Sequence, residues 1–216
     1  MNAKKKNIYL LLLNVVWLFG YIFLLGMIYR NDTSVGILNW FVLYWLQMFV
    51  PVITMVKANE TLHDYGFRKE KIGKQLLIGV ITALVLWVIF VLIPYCFDFD
   101  LVEANRKFQH GWQLVLFGLG SLLRTGLTEE FVSRGFLYYR IFRLTHQETA
   151  AILGSSIIFG LLHFMNGNPF QICFAMLFGV CLCMCRKHIP HCTTLSLIVA
   201  HGIYDWLLYM FATFYL

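Results

Sequence analysis

QLLIGVITALVLWVIFVLIPY, residues 75–95, contains no charged side chain. At roughly 1.5 Å of rise per helical residue it spans about 30 Å, the thickness of a bilayer's hydrocarbon core. Working outward, six further apolar stretches can be cut at polar breaks, at residues 8–29, 37–56, 112–143, 150–166, 169–185 and 193–214. The spacing predicts an all-α, polytopic membrane protein of about seven transmembrane helices in one bundle, with polar residues of the second half gathered in an intramembrane cavity. The first stretch follows Lys4, Lys5 and Lys6. Its apolar run is too long for a signal peptide, so it is read as a retained anchor.

Composition supports lipid as the solvent. Of 216 residues 60% are hydrophobic and 13% charged, and the mean hydropathy is +0.71. An ordinary soluble domain carries about 25% charged residues, and a chain this short has too much surface to hide the excess. A disordered chain, a disulfide-stapled secreted domain and a nucleic-acid module are thereby excluded, despite a net charge of +6. The basic residues instead report topology. Alternating the stretches across the membrane puts twelve Lys and Arg on the side of the N-terminus and three, Arg30, Arg106 and Lys107, on the other. Arg124 and Arg134 complete the set inside a helix. The positive-inside rule then places the N-terminus in the cytoplasm, and the 57–74 loop reads as a cytoplasmic surface segment.

Six cysteines do not change this reading. Cys181, Cys183 and Cys185 alternate on a predicted helix, where residues two apart face nearly opposite directions, so they read as small fillers. Cys192 with His188 and His191 reads as a solvated turn. No repeat or linker divides the chain, which reads as a single membrane domain: scaffold helices over 1–111 and a chemistry-bearing core over 112–216.

An ionisable group at bilayer depth costs about 2.5–3.5 kcal/mol even on the permissive insertion scale. Seven such groups fall in the second half: Arg124, Glu129, Glu130, Arg134, His163, His201 and Asp205. Counted from the same side by helical rise, Glu129, His163 and Asp205 all lie about 20 Å deep and His201 about 14 Å. Three segments thus bring carboxylates and imidazoles to one layer. Glu130 and Arg134 are four apart and can pair, as can His201 and Asp205. Small-xxx-small pairs such as Ser156/Gly160 allow close helix approach. The first three helices, whose notable polar residues are Asn14 and Gln47, read as scaffold or access wall.

The strings Glu129-Glu130-Phe131-Val132-Ser133-Arg134 (EExxxR), Phe159-Gly160-Leu161-Leu162-His163 (FxxxH) and His201-Gly202-Ile203-Tyr204-Asp205 (HxxxD) resemble, in this order, the CPBP intramembrane protease family. That family includes the CAAX prenyl protease 2 enzymes and bacterial proteins of bacteriocin self-immunity type. The resemblance covers about residues 112–216. It implies an intramembrane endopeptidase, in a bacterial plasma membrane, acting on a hydrophobic or membrane-anchored peptide or protein; nothing in the sequence specifies a prenyl-binding groove.

The residues suit that chemistry. A carboxylate desolvated in an apolar cavity is an effective general base for water, and a nearby imidazole can share the proton. Glu129 is expected as the base, His163 as its partner in positioning water, and His201 as a donor to the oxyanion. Glu130, paired with Arg134, is expected to hold the helix. Asp205 admits three roles: a protonated donor, an orienter of His201, or a metal ligand. Glu129, His163, His201 and Asp205 form a plausible ligand set for a divalent metal such as zinc, while a metal-independent glutamate mechanism needs no cofactor. The rival readings are an inactive membrane scaffold or immunity protein and a proton-coupled transporter. The latter predicts an internal repeat and broken helices, which the sequence does not show.

Overall fold

The computed structural model describes residues 3–31, 43–97, 108, 110–164 and 169–215. Among these residues the regular structure is all helical, and every apolar stretch cut from the sequence is met by a helix. We number them α1 (Ala3–Asn31), α2 (Leu43–Lys57), α3 (Ile72–Cys96), α4 (111–145), α5 (Glu148–Leu161), α6 (Pro169–His188) and α7 (Thr194–Tyr215). Among the described residues four helices, α1, α3, α6 and α7, are long and apolar enough to cross a membrane. Helices α2 and α5 are apolar but shorter, and α4 carries the motif charges. The acidic and basic residues expected in the 98–107 loop lie outside the described residues, as do residues 37–42 and 165–166 of the expected stretches.

Burial is inverted relative to a protein in water. Val16, Leu77 and Leu123 are 70%, 59% and 60% exposed, whereas Asn14, Glu130, Arg134 and Thr128 are fully buried. Apolar side chains can face outward cheaply only where the surroundings are apolar, and polar ones then turn inward to find partners. Asn14 Nδ2 donates to Thr54 Oγ1 at 3.1 Å and ties α1 to α2.

Two apolar clusters flank the centre. One joins α3, α6 and α7 through Leu86, Phe178, Leu197 and Tyr204. The other joins α1 and α4 through Leu18, Phe131, Phe136 and Leu137. Helices α4 and α7 meet between them at a glycine crossing. A Cβ on Gly126 would lie 2.5 Å from the carbonyl oxygen of Ile198, and one on Gly202 would lie 2.6 Å from Leu122 Cα. Backbone contact of this kind admits no side chain. In the expected Ser156/Gly160 pair, Gly160 likewise abuts the Ile172 carbonyl of α6.

Helix α4 is wound unevenly. Ser121–Gly126 and Phe131–Leu137 are π-helical, with an α-helical turn, Leu127–Glu130, between them. Such wide turns re-phase the side chains that follow and recur at functional sites.

The 58–71 segment, expected as a surface loop, is stitched to the bundle. Tyr65, 1% exposed, donates to Glu60 at 2.8 Å, and Arg140 donates to the same carboxylate oxygen at 2.5 Å. The N–H of Thr194 donates to the Gly66 carbonyl at 3.1 Å, and its hydroxyl to the Tyr65 carbonyl at 2.6 Å.

Candidate active site

His201 sits on α7 one residue before the Gly202 crossing, so its imidazole is delivered against α4. Nδ1 lies 2.7 Å from Glu130 Oε1, and a carboxylate oxygen can only accept there, so Nδ1 donates. Arg134 Nη1 donates to the same oxygen at 2.8 Å, with both partners of the ion pair fully buried. Nε2 of His201 faces two further carboxylates, Glu129 Oε2 and Asp205 Oδ2, each at 3.8 Å. One imidazole therefore collects Glu129, Glu130 and Asp205. The expected Glu130–Arg134 pair is present, and Glu130 has a second task that spacing did not show: it orients His201. Asp205, one candidate for that task, stands beyond hydrogen-bond distance on the opposite nitrogen.

The surroundings are apolar. The Phe178 and Phe159 rings lie edge-on to His201 at 5.2 and 6.1 Å, and the Arg134 guanidinium lies 4.2 Å over Phe159. Arg134 can occupy this space because α6 offers glycine: a Cβ on Gly179 would come within 2.8 Å of Arg134 Nη2.

His163 lies two residues past the end of α5 and packs edge-on to Phe159, 4.9 Å between ring centroids. Its Nδ1 donates to the Phe159 carbonyl at 2.9 Å, and in the tautomer with its proton there Nε2 is an acceptor. Among the described residues His163 makes no direct hydrogen bond to Glu129; the phenyl ring of Phe159 contacts both His163 and His201.

Sequence reasoning missed Tyr44. The first turn of α2, Leu43–Met48, is 3₁₀-helical, a winding that eclipses residues three apart. Gln47 is therefore aligned with Tyr44. Gln47 Nε2 donates to Thr128 Oγ1 at 2.6 Å, Thr128 donates on to the Arg124 carbonyl at 2.7 Å, and the Tyr44 hydroxyl donates to Glu129 Oε1. The Arg124 guanidinium lies 4.8 Å over the Tyr44 ring. A helix read as scaffold thus reaches the central carboxylate. Gln47 was the available signal; a tyrosine at an interface among so many aromatics gave none.

As for a metal, among the described residues no three His, Cys, Asp or Glu side chains form a group that could hold one. Glu130 Oε1 is already shared by two donors, Arg134 Nη1 and His201 Nδ1. The candidate set Glu129, His163, His201 and Asp205 is not a ready-made metal centre. Cysteines Cys181, Cys183, Cys185 and Cys192 are unpaired, and His191 contacts Lys71 Nζ at 3.2 Å.

The three motifs that converge here lie in the part of the chain that resembles known proteins. Residues 111–207 match the family model described as type II CAAX prenyl endopeptidase Rce1-like. No curated protein and no solved structure matches the chain. Residues 111–207, with Glu129, Glu130, Arg134, His163, His201 and Asp205 among them, are thus similar to the Rce1-like family of type II CAAX prenyl endopeptidases.

Proposed function

We propose that this chain is an intramembrane endopeptidase in which Glu129 activates water to hydrolyse a peptide bond of a hydrophobic or membrane-anchored peptide or protein. The observation that carries the reading is the buried His201 imidazole held by Glu130 at 2.7 Å with Nε2 turned toward Glu129 at 3.8 Å. A fixed imidazole beside a second, partly free carboxylate is the arrangement that acid–base hydrolysis needs.

The roles follow from the hydrogen bonds. Glu129 takes a proton from water as its oxygen attacks the scissile carbonyl. His163, with Nε2 as acceptor, holds the second water proton. His201 presents Nε2 to the developing oxyanion, and Glu130, anchored by Arg134, keeps that imidazole from rotating. Glu129 then returns its proton to the leaving amine. Asp205 faces the same Nε2 and balances its charge. Tyr44 holds Glu129 Oε1 from α2 and leaves Oε2 to meet the water.

The substrate must bring extended backbone to a buried catalyst, which favours a peptide broken by a small or helix-breaking residue. The chain would cross the membrane seven times with its N-terminus in the cytoplasm, in keeping with its basic residues. Comparative membrane proteomics of wild type against Glu129→Gln tests the reading: a hydrophobic precursor should accumulate in the variant. No accumulating precursor, with the variant expressed at wild-type level, would sink it.

A further inference from the structure

A second cavity shares Arg134 with the His201 cluster and otherwise lies apart from it. It lies at the end of the bundle where the 58–71 segment meets the turn between α6 and α7, has a volume of about 770 Å³, and is lined by Arg68, Arg143, Arg186, Asp64, Glu70 and His191 among others. That volume is typical of sites for small organic ligands.

The charges around it are unequally committed. Among the described residues none of Arg68, Arg143 and Arg186 forms an ion pair with a carboxylate. Arg68 donates to the carbonyls of His63 and Phe67 at 2.6 and 2.9 Å, which fixes its guanidinium on the loop without neutralising it. Arg186 donates to the Arg134 carbonyl at 2.6 Å and lies 4.0 Å over the Tyr138 ring. The Arg143 guanidinium lies 5.8 Å from the Tyr139 ring. Of the acidic wall residues, Asp64 spends Oδ2 on the N–H and hydroxyl of Thr61 at 2.8 and 2.9 Å. Glu70 is exposed, and Lys71 adds a further cation beside His191 at 3.2 Å.

Three guanidiniums without a carboxylate at ion-pair distance among the described residues, held on three different segments around one space that Asp64 and Glu70 also line, suit an anion with several oxygens. A single carboxylate offers two acceptors and one charge; a phosphate offers three or more acceptors and up to two charges, and matches guanidinium forks bidentately. The rings of Tyr138, Tyr139 and Phe142 complete the wall and provide apolar surface for the group that bears the phosphate.

We infer that this cavity binds a phosphate-bearing ligand, supplied either by a lipid headgroup at the membrane surface or by a soluble phosphate ester. The full chain in dodecyl maltoside, titrated by calorimetry, tests it with dioctanoyl phosphatidic acid and glycerol 3-phosphate as phosphate probes, and dioctanoylglycerol and succinate as comparators. Saturable binding of both phosphate probes means that the phosphate group suffices; binding of phosphatidic acid alone assigns the lipid headgroup. Arg143→Gln, which breaks no ion pair among the described residues, should weaken binding about tenfold, and Arg68→Gln should do the same. Both variants should keep the wild-type melting temperature. Binding of neither phosphate probe, equal binding of either comparator, or affinity unmoved by both substitutions overturns the inference. Neither arginine touches Glu129, His163 or His201, so this test and the protease reading fail independently.

Discussion

At the residue scale the chemistry rests on one imidazole between carboxylates, and single atoms decide its outcome. Glu129→Gln keeps the shape of the side chain and removes only the proposed base. Cleavage of a reporter substrate should fall by about 10²–10⁴-fold, with the melting temperature unchanged. Tyr44→Phe removes the hydroxyl that reaches Glu129 Oε1 but keeps the ring beneath Arg124. Its effect should appear as a loss of about tenfold in kcat with little change in KM, because the tyrosine positions the base and does not bind the peptide. Arg134→Leu acts differently. It leaves Glu130 buried without its cation, and breaking such a pair costs about 3–5 kcal/mol, so thermal unfolding in detergent should drop well below that of Glu129→Gln. The pairing of Glu130 with Arg134 could be read from their spacing. That the same carboxylate oxygen also holds His201 could not, because the partner stands 71 residues away on another helix.

At the scale of elements the site depends on how closely α4 and α7 cross. Gly126→Ala would thrust a methyl group at the Ile198 carbonyl, 2.5 Å away. Backbone cannot yield as a side-chain tip can, so the helices must part, at a cost of about 1–3 kcal/mol. Because His201 and Glu130 ride on the two helices, activity should fall more steeply than stability; a loss of stability with full activity per folded molecule would argue against this coupling. The π turns on either side of Leu127–Glu130 were not legible in sequence. Their residues suit an ordinary α-helix equally well, and the wider winding is settled by what α4 packs against. At the opposite edge Lys187 pairs with Glu148 at 3.0 Å and joins the end of α6 to the start of α5. The lysine beside Glu148 holds its carboxyl below the usual glutamate range. Its contribution is therefore present above that range and disappears as the pH falls through the lowered value, below about pH 4. Both side chains are over a third exposed, and such pairs are worth under about 1 kcal/mol. Lys187→Gln should lower the melting temperature only slightly at neutral pH and not at all in acid.

At the scale of the whole molecule, burial and charge point to a bundle read from the lipid inward. Reporter fusions at residues 65 and 188 should be cytoplasmic and those at 34 and 105 external; a reversed signal at 188 would invert the arrangement of Arg68, Arg143 and Arg186. This prediction belongs to the sequence, since the unequal distribution of Lys and Arg needs no coordinates. So do the helical class and the positions of the helices, because runs of apolar residues such as 75–95 carry their meaning locally. The motifs also stand in the sequence: Glu129, His163 and His201 were marked by being costly where they are. Contacts across the chain were decided only by the tertiary structure. Which carboxylate orients His201, that Tyr44 of an apparently inert helix reaches Glu129, and that the loop near Gly66 closes over a basic cavity all depend on distances between segments far apart in the chain. Local pattern fixes which side chains must turn inward; the packing of the helices fixes which of them meet.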